Sequence, residues 1–301
     1  MVRAVRFDRF GNASVLYLAE VPLVEPGAGQ VRVRMRAAGL NPVDYKIRRG
    51  TSRYRVTPPA PAGRELAGVV DAVGAGVERL DVGDEVFGTI PTGAFADAVT
   101  LEETYFARKP DAVPREVAGG LALAGQTAWD ALGSQPLRAG QTVVVSAAAG
   151  GVGSILVQLA VLRGIRVIGT ASDANAEWLR SVGGIPVRYG DGLASRIRDA
   201  AEGHPIAAVF DLHGPETIEA ALELGVPPEH INTNATDPTA YGIRGVGRGP
   251  TSVPTLDRLA ELVAEGRLTV PIAAVYPLDR VRSAFERLEQ GHLRGKIVLV
   301  P

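Results

Sequence analysis

The sequence predicts an α/β protein of two parts, a β-rich domain and a doubly wound parallel sheet. Three observations predict it. From residue 142 to 266, short β-branched runs alternate with helical periods. A glycine-dense turn, "SAAAGGVGS" at 146–154, joins the first of those strands to the first of those helices. The residues before about 115 have a different texture, with short strand-like runs broken by Gly and Pro.

Taken in order, "QVRVRMRAAGL" (30–40), "ELAGVVDAVGAGV" (65–77), "VGDEVFGTI" (82–90) and "AFADAVTL" (94–101) read as strands of a mostly β domain with many turns. Thr142–Ser146 is a short β-branched run suited to a buried parallel strand. Thr142 to Leu162 carries no charge and is nearly a bilayer's length. Gly150, Gly151, Gly153, two serines, Gln158 and the lack of a basic flank argue against a membrane span. From Gly151 the spacing of Val152, Ile155, Leu156, Leu159 and Leu162 gives one apolar stripe, hence a helix. The rhythm continues with strands at 164–172, 185–190 and 206–214 and helices at 173–183, 192–203 and 215–225. "EHINTNA" and "YGIRGVG" supply two more strands, and 253–266 the last helix of the set. The final "KIVLV" is strand-like and is expected to return to the first domain. The expected division is 1–115 with 267–301, and 116–266.

The turn has a physical purpose. A helix N-terminus presents unpaired N–H groups and a partial positive charge. A pyrophosphate reaches them only where side chains are missing. Ala148, Gly150 and Gly153 keep the G-x-G-x-x-G register, with alanine in first place. Ala149, Gly150, Gly151 and Val152 are the expected phosphate-binding groups, and Gly153 allows close helix–strand packing. The second strand ends at Thr170-Ala171-Ser172 without the carboxylate that holds a ribose in NAD-binding versions. Asp173 is expected to cap the next helix. Arg188 and Tyr189 end the third strand, where a 2′-phosphate would sit. Ser172, Arg188 and Tyr189 therefore favour NADPH; the plainer reading of Arg188 is a solvated surface charge.

Composition bounds the rest. The chain has 301 residues, 46% hydrophobic and 22% charged, which describes an ordinary globular protein. A net charge of −1 recruits neither nucleic acid nor an acidic membrane. There is no cysteine, which excludes disulfides and Cys-ligated zinc and fits a cytoplasmic protein. The N-terminus has no apolar stretch of the secretory kind. The four histidines form no metal-ligand spacing, and no G-x-S-x-G hydrolase elbow occurs.

Five stretches together carry a family likeness: "AAGLNPVDYKIRRG" (37–50), "GRELAGVVDAVGAGVERLDVGDEVFG" (63–88), "LALAGQTAWDAL" (121–132), "AAAGGVGSILVQLA" and "GKIVLVP". The chain resembles the medium-chain dehydrogenase/reductase superfamily, in its zinc-free quinone oxidoreductase and enoyl reductase branch, from end to end. The resemblance implies a GroES-like catalytic domain, a Rossmann domain, an interdomain cleft for NADPH and substrate, and usually a homodimer. It implies no metal, since the zinc branch uses cysteines this chain lacks. Without a Lewis acid, an enone, an enoyl thioester or a quinone is an easier acceptor than an alcohol or plain carbonyl, because charge spreads into an enolate that hydrogen bonds can hold. A zinc-free carbonyl reductase, and a nucleotide-binding sensor or structural protein with little turnover, stay open beside this reading.

The resemblance also places residues. Asn41 and Tyr45, from "NPVDY", fall beside the nicotinamide. Asn41 could donate its amide to a carbonyl oxygen, and Tyr45 a hydrogen bond or proton to the enolate. Their plainer readings are a turn residue and a half-buried packing residue. Thr127, in "GQTAW", matches a threonine near the nicotinamide; its plainer reading is a helix residue bonding its own preceding turn. In "INTNA", Thr233 and Ala235 are expected to contribute backbone groups to the carboxamide, while Asn234 departs from the usual apolar choice. "RRGTSRYR" (48–55) holds four arginines, Arg48, Arg49, Arg53 and Arg55. They either attract an anionic substrate or form a solvated loop.

Overall fold

A computed structural model of the chain describes residues 1–301 except 248 and 250. Residues 1–123 with 251–301 form one compact unit and residues 124–250 another.

The first unit opens with β1 (Val2–Phe7), β2 (Leu16–Val21), β3 (Gln30–Gly39), α1 (Pro42–Arg48), β4 (Ala60–Pro61), β5 (Glu65–Val73), β6 (Glu85–Thr89), β7 (Ala98–Glu102) and β8 (Phe106–Arg108). The long helix α2 (Arg115–Gly133) begins in it and ends in the second unit. Gly119 lets α2 lie close on β3, since a Cβ there would stand 2.6 Å from that of Ala37. Apart from the helical alternative at Thr127, the sequence offers no helix at 115–133, and the plainer reading of Asn41-Pro42 is a turn. Asn41 instead holds the N-cap position of α1 with Pro42 at its first residue, where a missing N–H costs nothing.

The second unit follows the predicted alternation: β9 (Thr142–Val145), α3 (Gly151–Leu162), β10 (Arg166–Ala171), α4 (Asp173–Ser181), β11 (Gly184–Arg188), α5 (Leu193–Ala201), β12 (Ile206–Asp211), α6 (Pro215–Glu223), β13 (Ile231–Thr233) and β14 (Arg244–Gly245). The sheet is parallel throughout, in the order β11-β10-β9-β12-β13-β14. The order reverses between β9 and β12, so the ligand crevice expected of such sheets lies at their carboxyl ends. All four residues of β9 are buried, as a strand covered on both faces requires. Val144, Ile168, Val209, Ile218 and Ile231 form the core on one side. The last two strands are shorter than "EHINTNA" and "YGIRGVG" suggested; ahead of β13, 228–230 is a 3-10 turn.

The chain then re-enters the first unit as α7 (Val253–Ala264), β15 (Ile272–Pro277), α8 (Val281–Glu289) and β16 (Lys296–Val300). β16 pairs antiparallel with β3 and completes a seven-stranded sheet; β2-β1-β4 form a separate three-stranded one. Val31, Val33, Met35, Leu66, Phe95, Phe106 and Phe285 lie in one continuous core. The helix at 253–264 groups with this unit because α7 packs on β8, a tertiary choice that its own periodicity does not encode.

Candidate active site

The second unit carries a phosphate cradle. Between β9 and α3 the backbone turns sharply, with Ala147 at φ +46° and its carbonyl accepting from the Gly150 N–H at 2.8 Å. The Ala147 and Ala148 N–H groups are tied to Thr170 on β10, at 3.0 Å to Oγ1 and 2.9 Å to the carbonyl. A Cβ at Gly153 would overlap the Ala147 carbonyl oxygen, so only glycine fits. The first intrahelical bond of α3 is Ser154 N–H to Gly150 O, at 2.9 Å. The amides of Gly151, Val152 and Gly153 therefore have no carbonyl of their own helix to bond. Ala149 is buried, while Gly150, Gly151 and Val152 are half-buried. This bare, half-exposed N-terminus fits the pyrophosphate of a dinucleotide.

Adjacent strand ends bring the next three expected residues together. Ala171 and Arg188 are register partners on β10 and β11, which sets Ser172 and Tyr189 one step beyond. Ser172, not Asp173, holds the N-cap position of α4; Asp173 is its first residue. The Asp173 carboxylate lies 3.5 Å from Arg188, both highly exposed, so their pairing is weak in water.

Asp211, at the end of β12, organises the opposite side. It is fully buried and accepts from Ser146 Oγ at 3.2 Å, Thr233 Oγ1 at 2.6 Å and Thr236 Oγ1 at 2.7 Å, and from the N–H groups of His213 and Gly214. The ends of β9, β12 and β13 are thus tied to one carboxylate. Thr233 Oγ1 accepts from Ala235 N–H at 3.0 Å, and the Thr233 carbonyl accepts from Val246 N–H at 2.9 Å. Of the expected backbone groups, the Ala235 carbonyl is the one with no internal bond among the described residues. Thr127 is buried on α2, against the turn at Gly247, where an added Cβ would meet it at 2.9 Å.

In the first unit, Asn41 is 3% exposed and its amide is already in use. Nδ2 donates to Glu65 Oε1 at 2.8 Å and to the Gly39 carbonyl at 3.3 Å; Oδ1 accepts from Lys296 Nζ at 2.6 Å. Both amide hydrogens are spent, so donation by Asn41 to a substrate carbonyl is not available in this arrangement. Asp44 Oδ2 accepts from the Asn41 N–H at 2.8 Å, while its Oδ1 is buried without a partner. Burial pushes the Asp44 carboxyl up to about 7, with Glu65 adding and Lys296 and Arg64 opposing. Tyr45 is half-buried against the core, and its hydroxyl has no hydrogen-bond partner among the described residues. Burial holds its phenol above the usual tyrosine value; Arg49 opposes this and Glu289 adds to it.

Glu65, Lys296 and Asp211 were not among the expected residues. The available signal was one ionisable residue in each apolar strand, "ELAGVV", "KIVLV" and "IAAVFD". Among the described residues no three His, Cys, Asp or Glu side chains gather as a metal ion would need, and no helix is long and apolar enough to cross a membrane.

Comparison with known proteins agrees with this architecture. Residues 27–111 match the alcohol dehydrogenase GroES-like domain, and 186–299 match the zinc-binding dehydrogenase family. The quinone oxidoreductase of Pseudomonas aeruginosa is 31% identical over the full length of both chains. The chloroplastic NADPH-dependent alkenal/one oxidoreductase of Arabidopsis thaliana is 31% identical over all of this chain and 80% of its own. The crystal structure of Escherichia coli quinone oxidoreductase complexed with NADPH superposes with a TM-score of 0.89 at 25% identity, covering 99% of this chain and 100% of that one.

Proposed function

Because the chain belongs to the medium-chain dehydrogenase/reductase superfamily, alongside its quinone oxidoreductases, we propose that it is an NADPH-dependent, metal-independent reductase of activated C=C bonds or quinones. The observation that carries the reading is the cradle at Ala149–Val152, where Gly153 admits no side chain and the first α3 amides have neither an intrahelical partner nor a side-chain cap. The dinucleotide, when bound, supplies a hydride. Its pyrophosphate is assigned to Ala149, Gly150, Gly151 and Val152, its 2′-phosphate to Ser172, Arg188 and Tyr189, its carboxamide to Thr233 and Ala235, and Thr127 to the neighbourhood of the nicotinamide. The alkenal/one oxidoreductase relative supports an enone or enoyl thioester, and the quinone oxidoreductases a quinone.

Tyr45 is the proposed hydrogen-bond and proton donor to the enolate oxygen. Its raised phenol pKa keeps the proton in place at neutral pH, and its hydroxyl is uncommitted. Asn41 is assigned a positioning role: locked by Glu65 and Lys296, it fixes the start of the helix that carries Tyr45. Metal independence is supported by the absence of cysteine from the sequence. A cytoplasmic homodimer is part of the same proposal, by likeness to the family.

The test is NADPH oxidation with a panel of quinones, enones, enoyl thioesters and an aldehyde, before and after exhaustive chelation. Turnover of a quinone or enone that survives chelation is expected. Tight NADPH binding with no acceptor reduced would replace this reading with a binding or sensor role; reduction of the aldehyde alone would make the protein a carbonyl reductase.

A further inference from the structure

The four arginines of 48–55 part company in the folded chain. Arg48 and Arg49 both turn to Glu289 on α8, Arg48 Nη2 at 2.5 Å from Oε1 and Arg49 on Oε2. Arg48 is 1% exposed, donates from Nε to the Gly11 carbonyl, and stacks 4.9 Å from the Phe285 ring centroid. These two hold α1 to α8. Arg53 goes elsewhere: its guanidinium lies 4.8 Å from the Tyr54 ring centroid, and Nη2 donates to the Tyr54 hydroxyl at 2.8 Å.

A second guanidinium reaches the same ring from outside the cluster. Arg64 lies 3.9 Å from the Tyr54 centroid. Its backbone is fixed on both sides: Gly63 sits at φ +93° against Phe95, and the Arg64 carbonyl accepts from Ile90 N–H at 2.7 Å. Among the described residues Arg64 makes no ion pair, and its Nε is buried without a partner. Asp44 acts on it through charge but stands beyond ion-pair reach, with its own Oδ1 unpartnered. Tyr54 itself is exposed at the surface.

Two like charges on one phenol ring repel, and an unpaired buried donor is costly. An oxyanion beside the two guanidinium groups offsets that repulsion. Burial would raise the Tyr54 phenol, yet hydrogen bonds from Arg53 and Arg64 and the charges of both outweigh it and hold the phenol below its usual value. The local field is therefore positive.

We propose that Arg64 and Arg53, gathered on Tyr54, bind an anionic oxygen group carried by the acceptor, a carboxylate or a phosphate, and make the enzyme select acceptors that bear one. This rests on the reductase reading above and names its substrate class. The planar guanidinium fork suits either group.

Wild-type, Arg64→Met and Arg64→Lys proteins are assayed by NADPH oxidation with a neutral enone, the same enone bearing a carboxylate, and crotonyl-coenzyme A. In Arg64→Met the ratio of kcat/KM for a charged acceptor over the neutral one falls about tenfold, through KM, and Arg64→Lys recovers part of it. A fall for the carboxylate alone assigns that source; a fall for the thioester alone assigns the phosphate. An unchanged ratio for both overturns the proposal. Independently of turnover, the Tyr54 phenol is titrated by ultraviolet difference between wild type and Tyr54→Phe, with and without acetate or inorganic phosphate. A bound anion raises its pKa, and no shift with either ion overturns the site. If the phenol shifts while wild type reduces none of the three acceptors, the reductase reading fails and the anion site stands.

Discussion

Lys296 Nζ sits 2.7 Å from Glu65 Oε1, with both side chains buried. All three Nζ donors are used, on Glu65, on Asn41 Oδ1 and on the Leu40 carbonyl at 3.0 Å. The other Glu65 oxygen accepts from the Leu123 N–H of α2 at 2.8 Å. One ion pair therefore ties the C-terminal strand, β5, α2 and the start of α1. Removing either partner leaves a buried charge alone. Lys296→Met and Glu65→Gln are each expected to lose about 3–5 kcal/mol of unfolding free energy. The double variant should lose less than their sum. Urea denaturation of the four proteins checks both statements.

Asp44→Asn tests the raised carboxyl. Asp44 favours its protonated form in the folded chain, with a pKa of about 7 against an ordinary value of 3.8. The native state thus binds more protons than the unfolded one between those values. Wild-type stability should fall, relative to Asp44→Asn, as pH rises from about 4 to about 7, then level off. Asparagine still accepts from the Asn41 N–H. The gap between the variants should reach a few kcal/mol at neutral pH, with wild type the less stable, and narrow toward pH 4. Thermal melts across that range give the comparison.

Gly153→Ala places a methyl group on the Ala147 carbonyl. The turn must shift, at about 1–3 kcal/mol of strain. NADPH affinity, followed by fluorescence titration, should weaken at least about tenfold.

Arg188→Ala removes a guanidinium whose side chain is highly exposed, with Asp173 as its nearby carboxylate. NADPH binding should weaken about tenfold and NADH binding scarcely change. The preference for NADPH should also shrink at high salt, since the site is open to solvent. Equal loss for both coenzymes would remove Arg188 from the 2′-phosphate site.

Tyr45→Phe deletes one hydroxyl from a half-buried ring. It should lower kcat by about 10²-fold with little change in KM, the signature of a group acting in the transition state. An unchanged kcat would leave proton delivery to water.

The parallel-sheet unit was legible from local pattern because each strand or helix there has one period and one breaker. Gly183, Gly203 and Gly225 all adopt positive φ at the places where the sequence suggested stops. The helix at 115–133 was harder to read: its small residues, Gly119 and Gly120 among them, lower helix propensity, and their reason lies in β3 and in Lys296. The loop at 48–55 looked like a single charge cluster, yet Glu289, 240 positions from Arg49, consumes half of it.

The glycine turn, the alternation that follows it, the missing ribose carboxylate and the lack of cysteine are all readable from the linear chain, since each depends on residues close together in it or on composition. What Asn41 can do follows from the fold. Its amide looks free in "NPVDY", but Glu65 and Lys296, 24 and 255 positions away, occupy its hydrogen-bonding groups. Local sequence shows which groups can donate and accept; which of them are already satisfied depends on partners that only folding brings near.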